Sequence, residues 1–170
     1  REFLEELKAS GINFYAGVPD SLMKGLVNQI CNSCPKSEHT IVSNEGSAIA
    51  HAIGHYAATE CPAAVYMQNS GLGNAYNPLI SLSDPAVYSI PMLLLIGWRG
   101  EIVPDGGQLT DEPQHVKQGH ITLGTLEVMD IPFEIIDRKS VDWKQKTKDL
   151  IGMSKAEQRP VAAVFRKDTF

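Results

Sequence analysis

The sequence predicts an α/β fold in three layers, α/β/α, with a six-stranded, mainly parallel sheet covered by helices on both faces. Three observations carry that expectation. Apolar runs of strand length alternate with runs of helical period from end to end, the order that parallel sheets require. Two of the strand-like runs, 63–68 and 92–96, show no polar alternation, as expected of strands covered on both faces. Each unusual polar cluster falls just after a strand, where open parallel sheets hold their ligands.

The elements follow in order. Phe3, Leu4, Leu7 and Lys8 set a helical period that Ser10-Gly11 ends. Residues 12–18 read as the first strand, closing on Gly17-Val18-Pro19-Asp20-Ser21, whose last two residues can cap a helix over 22–31. Residues 39–42 form the second strand, and Asn44 caps a second long helix over 45–59. Gly46, Ala48, Ala50, Ala52, Gly54, Ala57 and Ala58 leave that helix smooth enough to approach another backbone closely. Gly54 costs roughly 1 kcal/mol of helix propensity against Ala.

The third strand, 63–68, runs into Asn69-Ser70-Gly71-Leu72-Gly73-Asn74, a glycine-rich turn opening a helix over 75–82. The fourth strand, 92–96, precedes a long polar connection over 98–118 containing Gly100, Gly106 and Gly107. A connection of that length in a compact domain is functional or mobile. A short helix over 123–129, a fifth strand over 133–136, an amphipathic helix over 141–153 and a sixth strand over 161–165 complete the set.

Composition narrows the function classes. The 170 residues suit a single domain with a proper core, and 43% hydrophobic with 21% charged residues is an ordinary globular balance. The net charge is −5, and no basic run exceeds the pairs Arg138-Lys139 and Arg166-Lys167, so no nucleic-acid footprint is present. The longest apolar run, 90–97, contains Pro91 and is too short to span a bilayer. No signal peptide is visible, and the cytoplasm is the expected compartment. The chain begins at Arg1 without Met, directly in a helical pattern, which reads as a fragment or a processed chain. Cys31 and Cys34 have CxxC spacing before Pro35, but with no second pair they are expected, with Cys61, to be reduced structural thiols.

The candidate chemistry lies on one rim. Glu45 sits at a strand-to-helix junction, where a carboxylate complements the helix dipole whatever else it does. The Gly71-Leu72-Gly73-Asn74 turn lacks both standard nucleotide-binding spacings and reads as a simple turn rather than a phosphate cradle. His51 and His55 share a helix face at a metal-binding spacing, yet no third ligand accompanies them, and packed or surface histidines are expected. His115, in the rim connection, suits a proton carrier. Arg99 and Lys117 are the rim cations, either plain surface charge or recognition groups for an oxyanion.

Taken together, Gly17-Val18-Pro19-Asp20-Ser21, Asn44-Glu45-Gly46, Tyr66-Met67-Gln68-Asn69-Ser70-Gly71-Leu72-Gly73-Asn74, Gly97-Trp98-Arg99-Gly100 and Asp111-Glu112-Pro113-Gln114-His115-Val116-Lys117-Gln118-Gly119 resemble the thiamine diphosphate (ThDP)-dependent 2-oxo acid decarboxylases. Within them the likeness is to the phosphonopyruvate and sulfopyruvate branch, and it covers nearly the whole chain. The resemblance implies decarboxylation of 3-phosphonopyruvate to phosphonoacetaldehyde and CO2, with ThDP and Mg2+. It also implies that residues 1–170 are a single pyrimidine-binding domain, with the diphosphate- and metal-binding domain lying outside this chain. Asp105-Gly106-Gly107 does not match that domain's GDG motif, so no Mg2+ site is expected here. The chain is then a piece of a longer enzyme or one subunit of a split one.

The resemblance also implies roles. Glu45 matches the family glutamate that bonds N1′ of the aminopyrimidine. Asp20 and His115 match positions of proton-transfer residues that act after CO2 leaves. Gly17, Pro19, Asn44, Gln68, Asn69 and Gly71 are implied to lie beside the cofactor or substrate, with Arg99 and Lys117 as candidates for the phosphonate. Family sites form between subunits, so at least a dimer is expected, the smooth helix after Glu45 packing against its symmetry mate. Two rivals stand beside this reading: a sulfopyruvate decarboxylase α subunit, and a non-catalytic flavodoxin-like binding module.

Overall fold

The apolar periods fold into alternating elements: α1 (Glu2–Ala9), β1 (Tyr15–Gly17), α2 (Lys24–Ser33), β2 (His39–Ile41), α3 (Glu45–Thr59), β3 (Ala63–Gln68), α4 (Leu72–Pro78), β4 (Met92–Gly97), α5 (Pro113–Val128), β5 (Phe133–Ile136), α6 (Trp143–Glu157) and β6 (Pro160–Phe165). The computed structural model describes residues 2–137 and 139–170. Its six strands form one sheet in the order β2-β1-β3-β4-β6-β5, and every pair within it is parallel. No helix among the described residues is long and apolar enough to cross a membrane.

Alternate side chains of the central strands face opposite layers. Val65, Met67, Leu94 and Ile96 meet Ala48, Ile49 and Ala52 of α3 and Leu126 of α5. Ala64, Tyr66, Leu93 and Leu95 meet Leu7 of α1, Leu26 of α2 and Leu150 of α6. Each fully buried Leu or Ile contributes roughly 1.5–3 kcal/mol, so the sheet is held from both sides.

Three departures from the sequence-based expectation have physical causes. β1 covers three residues rather than 12–18, because the Ile12 N–H donates to the end of α1 at Leu7 O (2.9 Å) instead of joining the ladder. The helix expected over 75–82 begins earlier, at Leu72, and widens into a π-helical turn over Leu79–Ser83 after Pro78, which cannot donate a backbone bond. The largest departure is α5. Instead of a connection reaching 118 and a short helix, a 16-residue helix starts at Pro113, carrying His115 and Lys117 on its first turns rather than on a loop.

Gly119 explains that difference. It lies inside α5 where a Cβ would collide with the backbone carbonyl of Gly100. The glycine is there so that the helix can touch the strand end, and Trp98 Nε1 donates to Gly119 O (2.9 Å) to hold the contact.

Candidate functional site

The strand ends carry two groups of side chains joined by the turn after β3. The first surrounds Glu45. Asn44 caps α3 by accepting from Ser47 N (2.9 Å), which leaves Glu45 as the first helical residue. Glu45 is 8% exposed. Its Oε2 accepts from Asn74 Nδ2 of α4 (2.8 Å), while Oε1 accepts no hydrogen bond among the described residues. Gly71 makes room for it: a Cβ there would meet the Glu45 carboxyl carbon at 2.5 Å.

The second group surrounds Asp20, after β1. Its carboxyl is 6% exposed, and neither oxygen has a hydrogen-bond partner. It lies where a Gly97 side chain would be. Burial pushes its pKa up, opposed more weakly by the nearby Leu22 and Ser21 N–H groups and by the charges of Arg99 and His115. The two N–H groups stand close enough to act electrostatically, though outside hydrogen-bonding geometry, so the carboxyl remains orphaned.

Arg99, His115 and Asp111 close this group. Asp111 Oδ1 accepts from Arg99 Nη2 (2.8 Å) and from Glu112 N (2.8 Å) and lies 2.9 Å from His115 Nδ1, and Oδ2 accepts from Gly100 N (3.0 Å). Burial alone would raise the Asp111 pKa. The bond from His115, the two backbone donors and the Arg99 charge outweigh it and hold the carboxyl well below the usual range. Arg99 is therefore an already paired cation.

The turn between the groups is shared. Gln68 Nε2 donates to Ser70 Oγ (2.8 Å). Asn69 donates to Arg99 O (3.0 Å) and Thr122 Oγ1 (2.8 Å) and accepts from Arg99 N (3.2 Å), so its side chain ties β3, β4 and α5 together. Two residues on, Gly71 touches Glu45. Gly17 admits the Tyr66 backbone, which a Cβ would strike, and Pro19 is exposed at the start of the turn to α2.

Lys117 stands apart, exposed on α5 with no hydrogen bond or ion pair among the described residues. A different lysine, Lys167, lines a cavity of about 60 Å3 with Leu22, Arg99 and Asp111. His51 Nδ1 bonds its own helix at Ser47 O (2.9 Å), and His55 stacks on Phe14 (4.6 Å). Both behave as packed or surface histidines. The three cysteines are free thiols.

Sequence reasoning passed over Asp111, Asn74 and Lys167. Asp111 carried a usable signal, an acid two residues before Pro113 and four before His115, the spacing of a helix start with a side-chain pair. Asn74 and Lys167 meet their neighbours only through tertiary contacts, which no local pattern encodes.

The family model described as thiamine pyrophosphate enzyme, N-terminal TPP binding domain, matches residues 1–121. The phosphonopyruvate decarboxylase of Streptomyces viridochromogenes is 38% identical over 130 residues, covering 76% of this chain and 30% of that protein. The chain thus spans about a third of the length of such relatives. The sulfopyruvate decarboxylase subunit alpha of Methanococcus maripaludis is 32% identical over 157 residues, covering 92% of this chain and 87% of the subunit. Among solved structures, the 2-oxoglutarate:ferredoxin oxidoreductase of Magnetococcus marinus shares the fold, with a TM-score of 0.63 at 18% identity over 95% of this chain and 27% of that one.

Proposed function

The chain belongs to the thiamine pyrophosphate enzymes through their N-terminal TPP binding domain, and on that premise we propose that it supplies the pyrimidine-binding half of a ThDP-dependent decarboxylase acting on 3-phosphonopyruvate. The observation that carries the reading is Glu45: a nearly buried carboxyl at the rim, fixed through Oε2 by Asn74 and with Oε1 open to a donor. That is the donor set a protonated aminopyrimidine nitrogen would complete, and Gly71 keeps the space beside it clear.

When bound, ThDP supplies the electron sink that a 2-oxo acid needs to lose CO2. This chain's residues would do the rest. Glu45 holds and shares a proton at N1′ through Oε1. Asp20, buried and with its pKa raised, is placed to take up and pass on a proton. His115 is the second proton carrier. Asn44 and Asn69 set the backbone around Glu45 and Arg99, and Gly17, Pro19, Gln68 and Gly71 would shape the wall beside the cofactor. Mg2+ and the diphosphate fall to a separate domain or subunit.

For the substrate oxyanion, Arg99 with Lys167 is the better-placed pair, and Lys117 joins them only by a change in side-chain position. Phosphonopyruvate is favoured over sulfopyruvate by the 38% and 34% identities to phosphonopyruvate decarboxylases from two Streptomyces sources. The sulfopyruvate reading has its own support in the 87% coverage of the Methanococcus subunit.

A partner is part of the proposal. The outer faces of α3, α4 and α5 carry Gly54, Gly73 and Gly124, whose added Cβ atoms would meet nothing within 4 Å. Each costs about 1 kcal/mol against Ala in a helix interior, with no return inside this chain. Tyr76, Ile121 and Val128 lie exposed beside Gly124, so this face suits a second copy or a diphosphate-binding partner. Steady-state turnover of both acids, with the diphosphate-binding half, ThDP and Mg2+ supplied, tests the assignment. Preference for 3-phosphonopyruvate is expected; preference for 3-sulfopyruvate would move the chain to the other branch.

A further inference from the structure

We infer that Asp111 is a positioning residue that fixes His115 in the Nδ1–H tautomer and leaves Nε2 as the nitrogen that exchanges a proton, an inference that rests on the decarboxylase reading above. Two contacts compete for one ring nitrogen. Nδ1 lies 2.9 Å from Asp111 Oδ1 and 3.4 Å from Arg99 Nε. If Nδ1 carried a lone pair, it would face a carboxylate oxygen at close range and be compensated only by the longer Arg99 contact. If it carries hydrogen, it donates to a strong acceptor at ordinary distance. The second arrangement wins.

The acceptor is built to stay where it is. Gly100 N, Glu112 N and Arg99 Nη2 hold the two Asp111 oxygens at 3.0, 2.8 and 2.8 Å. The backbone donors sit at the end of β4 and the start of α5, so the carboxylate joins the helix to the sheet rim. His115, four residues on, is thereby aimed by the element that carries it. Its side chain is 12% exposed, and Nε2 makes no hydrogen bond among the described residues. Charged groups near the ring include Asp111, Arg99 and, across the site, Asp20, whose pKa burial raises against the weaker opposing effect of the Arg99 and His115 charges.

The same arrangement accounts for Asp111 at a position where Arg99 alone would have left a free cation facing an anionic substrate. One carboxylate orders both partners, so the oxyanion meets an arginine whose direction is already set, and Lys167 lines the same cavity with Glu101.

The test reads the ring nitrogens of His115 by NMR in the 170-residue chain, without cofactor, at a pH where the ring is neutral. Nδ1 is expected to be the protonated nitrogen, and an Nε2–H tautomer overturns the inference. Asp111→Asn replaces the acceptor with an amide that can donate to Nδ1, so a shift to Nε2–H is expected while the amide spectrum stays folded. A folded Asp111→Asn that keeps the Nδ1–H form also overturns it. If Asp111→Asn does not fold, the wild-type measurement still decides. With the diphosphate-binding half supplied, Asp111→Asn should lower kcat at least tenfold, beyond any rise in KM that comes from releasing Arg99. A change confined to KM refutes the positioning role. An Nδ1–H ring in a chain that turns over neither acid supports the positioning and removes only the function on which it rests.

Discussion

Asp20→Asn should make the protein more stable at neutral pH. The aspartate is 6% exposed, packed where Gly97 has no side chain, and neither oxygen is hydrogen-bonded. Leaving a buried polar group unsatisfied costs about 1–3 kcal/mol, and more when it is charged. Asn keeps the shape and the unpaired polar atoms and removes only the ionisation that burial penalises, so a gain of about 1 kcal/mol is expected at pH 7, with Tm rising roughly 2–4 °C for a chain of this size. The pH dependence fixes the cause. The Asp20 pKa is raised in the folded state, so above the ordinary value of about 3.9 the folded chain binds more protons than the unfolded one. Stability then falls as pH rises through that window, and the advantage of Asn should fade below about pH 3.9. Urea unfolding of both proteins at pH 3.5 and 7 measures this. An Asn variant that is less stable at pH 7, or a difference that does not change with pH, refutes the reasoning.

Other expectations follow from the same geometry. Glu45→Gln keeps an acceptor for Asn74 and loses the acid, so melting should move little while turnover with the diphosphate-binding half drops by about 10² or more; unchanged turnover would remove Glu45 from the chemistry. Gly71→Ala forces a Cβ against the Glu45 carboxyl and should cost about 1–3 kcal/mol in urea unfolding, with ThDP binding lost before folding is. The Asp111 pKa is depressed, so its contribution is present above the ordinary carboxylate value and is lost as pH falls below it. Wild type should therefore lose more stability than Asp111→Asn between pH 5 and 2, and parallel acid profiles for the two would count against the Asp111 network.

Much of the fold was written locally. The continuous apolar runs gave β3 and β4, and Asn44 with the small residues after it gave α3 at the ends observed. What the local pattern did not show was where α5 begins. Pro113 starts that helix, and Gly119 inside it is demanded by the Gly100 backbone. That meaning belongs to the contact between the end of β4 and α5, not to the residues around it. The site shows the same split. Glu45, Asp20 and His115 were visible because strand ends collect them, and the structure gives each a buried or ordered setting. Lys117 was picked with Arg99 as a cation of the rim; α5 carries it exposed, and Lys167, just after β6, also lines the Arg99 cavity. Asn69 looked like a ligand group and has its side chain engaged with Arg99 and Thr122.

Binding of ThDP, followed by calorimetry with Mg2+ and a diphosphate-binding half present and then omitted, reaches the claim everything else depends on. Saturable binding is expected only in the complete mixture, and it should weaken at least tenfold in Glu45→Gln. No binding in either mixture, or binding indifferent to Glu45, would contradict the account.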